Sequence, residues 1–66
     1  MRVVINGEER EVPEGCTVRE LLEWLGVRTE LVAVEVNRNV VSREEHATCS
    51  VSPGDHIEIV SFTGGG

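Results

Sequence analysis

The chain has 66 residues, which makes a single domain, since a domain usually takes ~100–200. Twelve acidic against six basic residues give a formal charge of −6, a poor match for a phosphate backbone, so nucleic-acid binding is not expected as the main activity. No apolar run reaches the ~20 residues that span a bilayer, the N-terminal segment turns too early for a signal-peptide core, and two cysteines are too few for a disulfide scaffold, so no membrane partner and a cytoplasmic location are expected.

Met1 to Asn6 alternates, with Met1, Val3 and Ile5 on one face, and predicts a half-buried strand. Asn6-Gly7 follows as a hairpin signal, because both central residues of the favoured two-residue turn need positive φ. The return strand, Glu8 to Pro13, is polar and short and suits a sheet edge. Thr17-Val18-Arg19-Glu20 reads as a capping box, and Val18, Leu21, Leu22 and Leu25 make one apolar helical stripe that Gly26 ends. So short a helix cannot persist alone and must lie on the sheet. Val32, Val34 and Val36 alternate in a third strand, and Asn37-Arg38-Asn39 turns into a short Val40-Val41 strand. Ser42-Arg43-Glu44-Glu45 resembles a second capping box that starts a brief helical turn. Pro53-Gly54-Asp55 turns the chain into a last strand, His56 to Phe62. The order β-β-α-β-β-β implies an α+β domain of two layers, a sheet covered on one face by one helix.

A domain this small has little room for a lined pocket beside its core, which argues against a self-sufficient enzyme. Cys16 and Cys49 are the obvious nucleophiles, but neither belongs to a Cys-x-x-Cys pair, and packing is the favoured reading. His46, Cys49 and His56 lack zinc-like spacing, so no metal site is expected. Glu8-Glu9 and Glu44-Glu45 are adjacent residues that point apart and are read as solvated surface. Trp24 sits beside the helical stripe and is expected to be partly buried, with a docking aromatic as the alternative. No catalytic side chain is assigned.

The ending Thr63-Gly64-Gly65-Gly66 is more informative. Residues 63–66 are expected to form a tail beyond a domain of residues 1–62. Glycine lacks a Cβ, so such a segment can lie extended in a narrow channel, and at ~3.3 Å per residue it reaches far enough to enter another protein's active site. A frayed terminus or a cloning scar is the bland alternative. In the last strand Ile57 and Ile59 share the face that the helix covers, which leaves Val60 and Phe62 on the opposite face. These two are the expected partner interface, an anchor directly before the tail.

A small strand-rich domain with a terminal diglycine resembles the ubiquitin-like β-grasp sulfur carriers, and among them the thiamine-biosynthesis carrier family. The resemblance covers the whole chain. It rests on the Asn6-Gly7 hairpin, the helix start Thr17-Val18-Arg19-Glu20-Leu21-Leu22, the stretch Val36-Asn37-Arg38-Asn39-Val40-Val41-Ser42-Arg43-Glu44, and Gly54-Asp55-His56-Ile57-Glu58-Ile59-Val60 leading to Gly65-Gly66. Ser42 stands where the family often has proline, and Gly66 adds a third glycine, which leaves trimming open. The resemblance implies a β-grasp fold with a mixed sheet of about five strands. It also implies a carrier cycle. An E1-like adenylyltransferase would use ATP and magnesium to adenylate Gly66. A persulfide donor fed by a cysteine desulfurase would convert the adenylate to a thiocarboxylate, and thiazole synthase would accept the sulfur. The carrier itself would hold no cofactor. Carriers for molybdopterin, cysteine or tRNA thiolation share the fold and tail, and a protein modifier conjugated through Gly66 is a different class with the same ending.

Overall fold

Alternation at the N-terminus produces β1 (Arg2–Ile5), and the chain returns as β2 (Glu8–Glu11), paired antiparallel from Arg2↔Glu11 to Ile5↔Glu8. These elements come from a computed structural model that describes residues 1–62; the tail glycines Gly64, Gly65 and Gly66 lie outside the described residues. Asn6 and Gly7 take φ of 50° and 84°, the positive values the tight turn requires. Every residue of β2 is charged and exposed, and β2 lies at one sheet edge, where charge discourages pairing with other chains.

The helix α1 (Val18–Leu25) starts where the capping box predicts. Thr17 Oγ1 accepts the Glu20 N–H at 3.2 Å, and the Glu20 carboxylate accepts the Thr17 N–H at 2.9 Å. The Val18 and Arg19 N–H groups donate to the carbonyls of Cys49 (2.9 Å) and His46 (2.8 Å), and Leu21 N–H donates to Thr17 O (2.9 Å). All four N–H groups that a helix start leaves without an internal partner are thereby satisfied. Gly26, at φ 76°, closes the helix.

After a short turn at Thr29–Leu31, which the sequence did not suggest, come β3 (Val32–Val36) and β4 (Asn39–Val41). Ser42 and Glu45 then form the second capping box on the helical turn Arg43–Glu45. The last strand, β5 (His56–Ser61), stops one residue short of the expected end, although Phe62 N–H still donates to Leu31 O at 2.7 Å. The sheet order is β2-β1-β5-β3-β4, with β5 parallel to β1 and antiparallel to β3. This is the mixed five-stranded β-grasp sheet with one helix.

One face of the sheet carries the core. Val3, Ile5, Val34 and Ile57 meet Val18, Leu21 and Leu22 of α1, all buried, and Leu25 packs at the margin. Two asparagines hold β5 in place where its neighbouring strands turn away. Asn6 Oδ1 accepts the Ile59 N–H at 2.8 Å and Asn6 Nδ2 donates to Ile59 O at 3.2 Å, so its carboxamide replaces the peptide group that β1 no longer supplies. Asn37, also at positive φ (51°), grips the start of β5, where its Oδ1 accepts the His56 N–H at 2.9 Å and its backbone N–H donates to His56 O at 2.7 Å.

Candidate partner-docking face

Strand alternation decides what lies on the face that α1 does not cover. In the β3–β5 ladder Ala33 pairs with Val60 and Glu35 with Glu58, and in the β3–β4 ladder Glu35 pairs with Val40. Residues in register share a face, so Ala33, Val40 and Val60 stand together, with Glu35 and Glu58 beside them. Val40 is 73% exposed, Val60 59% and Phe62 66%. An open groove of about 220 Å³ runs between Phe62, Val40, Ala33 and Arg43. The expected interface pair, Val60 and Phe62, is thus exposed, and Val40 joins it. Val40 was missed because its position opposite Glu35 follows from strand pairing, which no sequence spacing reveals. The modified and tail positions Gly66, Gly65 and Gly64 lie outside the described residues.

Trp24, expected to be partly buried, is half exposed, because the helix turns its apolar stripe to the sheet through Leu21, Leu22 and Leu25 and leaves position 24 outside it. Cys16 is buried in the core and Cys49 half-buried, and both are free thiols. Burial pushes the Cys16 thiol above its ordinary value, with a smaller push from the Glu20 carboxylate against a lowering backbone hydrogen bond. That is the opposite of an activated nucleophile. His46 is buried, its Nδ1 lies 2.7 Å from Thr29 Oγ1, and its carbonyl caps the helix through Arg19 N–H. It is a structural joint between loop and helix. Among the described residues no three His, Cys, Asp or Glu side chains are grouped to hold a metal ion, and no helix is long and apolar enough to cross a membrane.

The geometry is that of a domain with a bare apolar patch beside the strand that leads to its tail. Residues 3–66 match the model of the ThiS family. The chain is 35% identical to the sulfur carrier protein ThiS of Escherichia coli, over the whole of both chains. It is 48% identical, over all of its own length, to a thiazole synthase of Paramagnetospirillum magneticum, but it spans only 20% of that protein. The crystal structure of a thiamine biosynthesis protein (ThiS) from Geobacter metallireducens superposes with a TM-score of 0.86 at 39% identity, each chain covered in full. With that match reaching from the first strand to the last glycine, the chain belongs to the ThiS family and has its β-grasp fold.

Proposed function

We propose that this chain is a sulfur carrier of thiamine biosynthesis that works through a terminal carboxylate on Gly66. The observation that carries the reading is the family match running through residue 66, so that the glycine ending is part of what is shared. The chemistry needs the tail and little else. The Gly66 carboxylate attacks the α-phosphorus of ATP on an E1-like adenylyltransferase, with magnesium, and pyrophosphate leaves. The terminal sulfur of a persulfide, supplied by a cysteine desulfurase or its relay, attacks the acyl carbon and expels AMP. A thiol then cleaves the S–S bond, which leaves a thiocarboxylate on the carrier and a disulfide on the donor. Adenylation supplies the leaving group that a carboxylate lacks, and sulfur supplies a soft nucleophile on a tether. Thiazole synthase accepts that sulfur. The relatives named thiazole synthase, which contain a segment like this chain within a longer protein, support that partner.

The carrier contributes no side-chain catalyst, in keeping with the buried, hard-to-ionise Cys16. Its own contribution is to dock. Anchoring the domain through Val60 and Phe62 raises the effective concentration of the carboxylate beside ATP. Incubation with the adenylyltransferase, ATP, magnesium and a persulfide donor tests the reading: the intact mass rises by the exchange of one oxygen for sulfur, on Gly66. An unchanged mass with every activating partner of the host refutes it.

A further inference from the structure

The middle of the open sheet face breaks a rule of sheet design. Glu35 and Glu58 are register partners in the β3–β5 ladder, both exposed, with Cβ atoms ~4.5–5.5 Å apart in such a pair. Like charges directly opposite each other destabilise a sheet. Among the described residues neither carboxylate has an ion-pair or hydrogen-bond partner, while Arg2 and Arg19 are committed to Glu9, Glu11 and Glu23, and Arg43 to Glu30 O. The cost is tolerable only while water screens the pair.

That condition fails once the face is covered. Glu58 stands two residues from Val60 on the same face, ~7 Å along the strand, and Glu35 is the register partner of Val40. Any surface that closes over Val40 and Val60 must therefore close over both carboxylates. Two like charges moved out of water without a counter-charge cost far more than the apolar contact returns, so an uncharged or acidic partner is rejected. A partner with a cation at that point turns the repulsion into a three-centre attraction. With two carboxylates and no third ligand grouped among the described residues, the socket suits a side chain better than a bound metal ion.

We propose that Glu35 and Glu58 form a socket for an arginine or lysine side chain of the activating adenylyltransferase, which selects a basic docking surface over other apolar ones. The inference rests on the reading of this face as the docking surface. Its signature is that stability and binding move in opposite directions. Glu35→Gln and Glu58→Gln relieve the repulsion, and each raises the melting temperature by ~1–5 °C. Each also weakens binding of the carrier to the adenylyltransferase, about ten-fold, and flattens the dependence of the affinity on salt. Phe62→Ala, measured in parallel, weakens binding but leaves the salt dependence unchanged. If Phe62→Ala weakens binding while both glutamine variants bind as the native chain does, the socket is refuted and the docking face stands. If none of the three variants changes the affinity, both fall. Glutamine variants that lose stability and affinity together also overturn the proposal, because they make the pair a structural feature.

Discussion

Replacing Phe62 with alanine separates a docking anchor from a core residue. The side chain is 66% exposed, so only about a third of the ~150–250 Å² that an aromatic residue can bury is already out of water. At ~25 cal/mol per Å², that third amounts to ~1–2 kcal/mol, and alanine retains part of it, so the loss of folding stability is ~1 kcal/mol. A fully buried phenylalanine would cost ~3–5 kcal/mol. Association with the adenylyltransferase should suffer more than folding, by ~1–3 kcal/mol if Phe62 is a hot spot, or roughly 5- to 150-fold in Kd. Equilibrium urea denaturation gives the first quantity and calorimetric titration of the partner gives the second. Gly65→Ala is the contrasting variant: docking survives, and adenylation, followed by ATP–pyrophosphate exchange, slows because the added methyl obstructs a narrow channel. Unchanged affinity for Phe62→Ala, or a stability loss of the size expected for a core aromatic, would remove Phe62 from the docking face.

Asn6→Gly keeps a residue suited to positive φ but deletes both side-chain hydrogen bonds to Ile59, and denaturation should show a loss of ~1–2 kcal/mol; stability equal to the native chain would mean that water replaces the clamp at no cost. The double change Cys16→Ala with Cys49→Ser should leave thiocarboxylate formation intact and cost ~1 kcal/mol per buried site, and a folded double variant that cannot be loaded with sulfur would show that a thiol takes part. The backbone and side chain of Ser42 hydrogen-bond the Glu45 carboxylate and hold its pKa below the ordinary value in the folded state. A depressed folded pKa stabilises at pH above the unfolded value and is lost as pH falls through the folded one. The stability gap between the native chain and Glu45→Gln should therefore be largest near neutrality and shrink in acid, and a gap that grows in acid would contradict the assignment.

What could be read from the sequence was what depends on neighbours along the chain. The Asn6-Gly7 turn, the Thr17–Glu20 and Ser42–Glu45 capping boxes and the alternation in β3 and β5 are local patterns, and each is found where its residues imply. Alternation in β5 was also enough to place Val60 and Phe62 opposite the covered face. Features set by pairing across the sheet were not legible. Nothing near Glu35 in the sequence announces that it will face Glu58, and nothing near Asn6 announces that its carboxamide will bond to Ile59, 53 positions away. The spacing around His46 marks no metal site, and its actual role depends on Thr29 and on the first turn of the helix, which only the folded chain brings to it.

If the protein works as proposed, Gly66 carries sulfur. The most direct measurement is intact mass spectrometry of the protein purified from its own host, followed by fragmentation at the C-terminal end. Two species are expected, one with a free carboxylate on Gly66 and one heavier by the exchange of an oxygen for a sulfur at the same residue, the heavier accumulating when thiazole synthase is removed. A chain that carries only an unmodified Gly66 under every condition, or one that is found linked through Gly66 to lysines of other proteins, would contradict it.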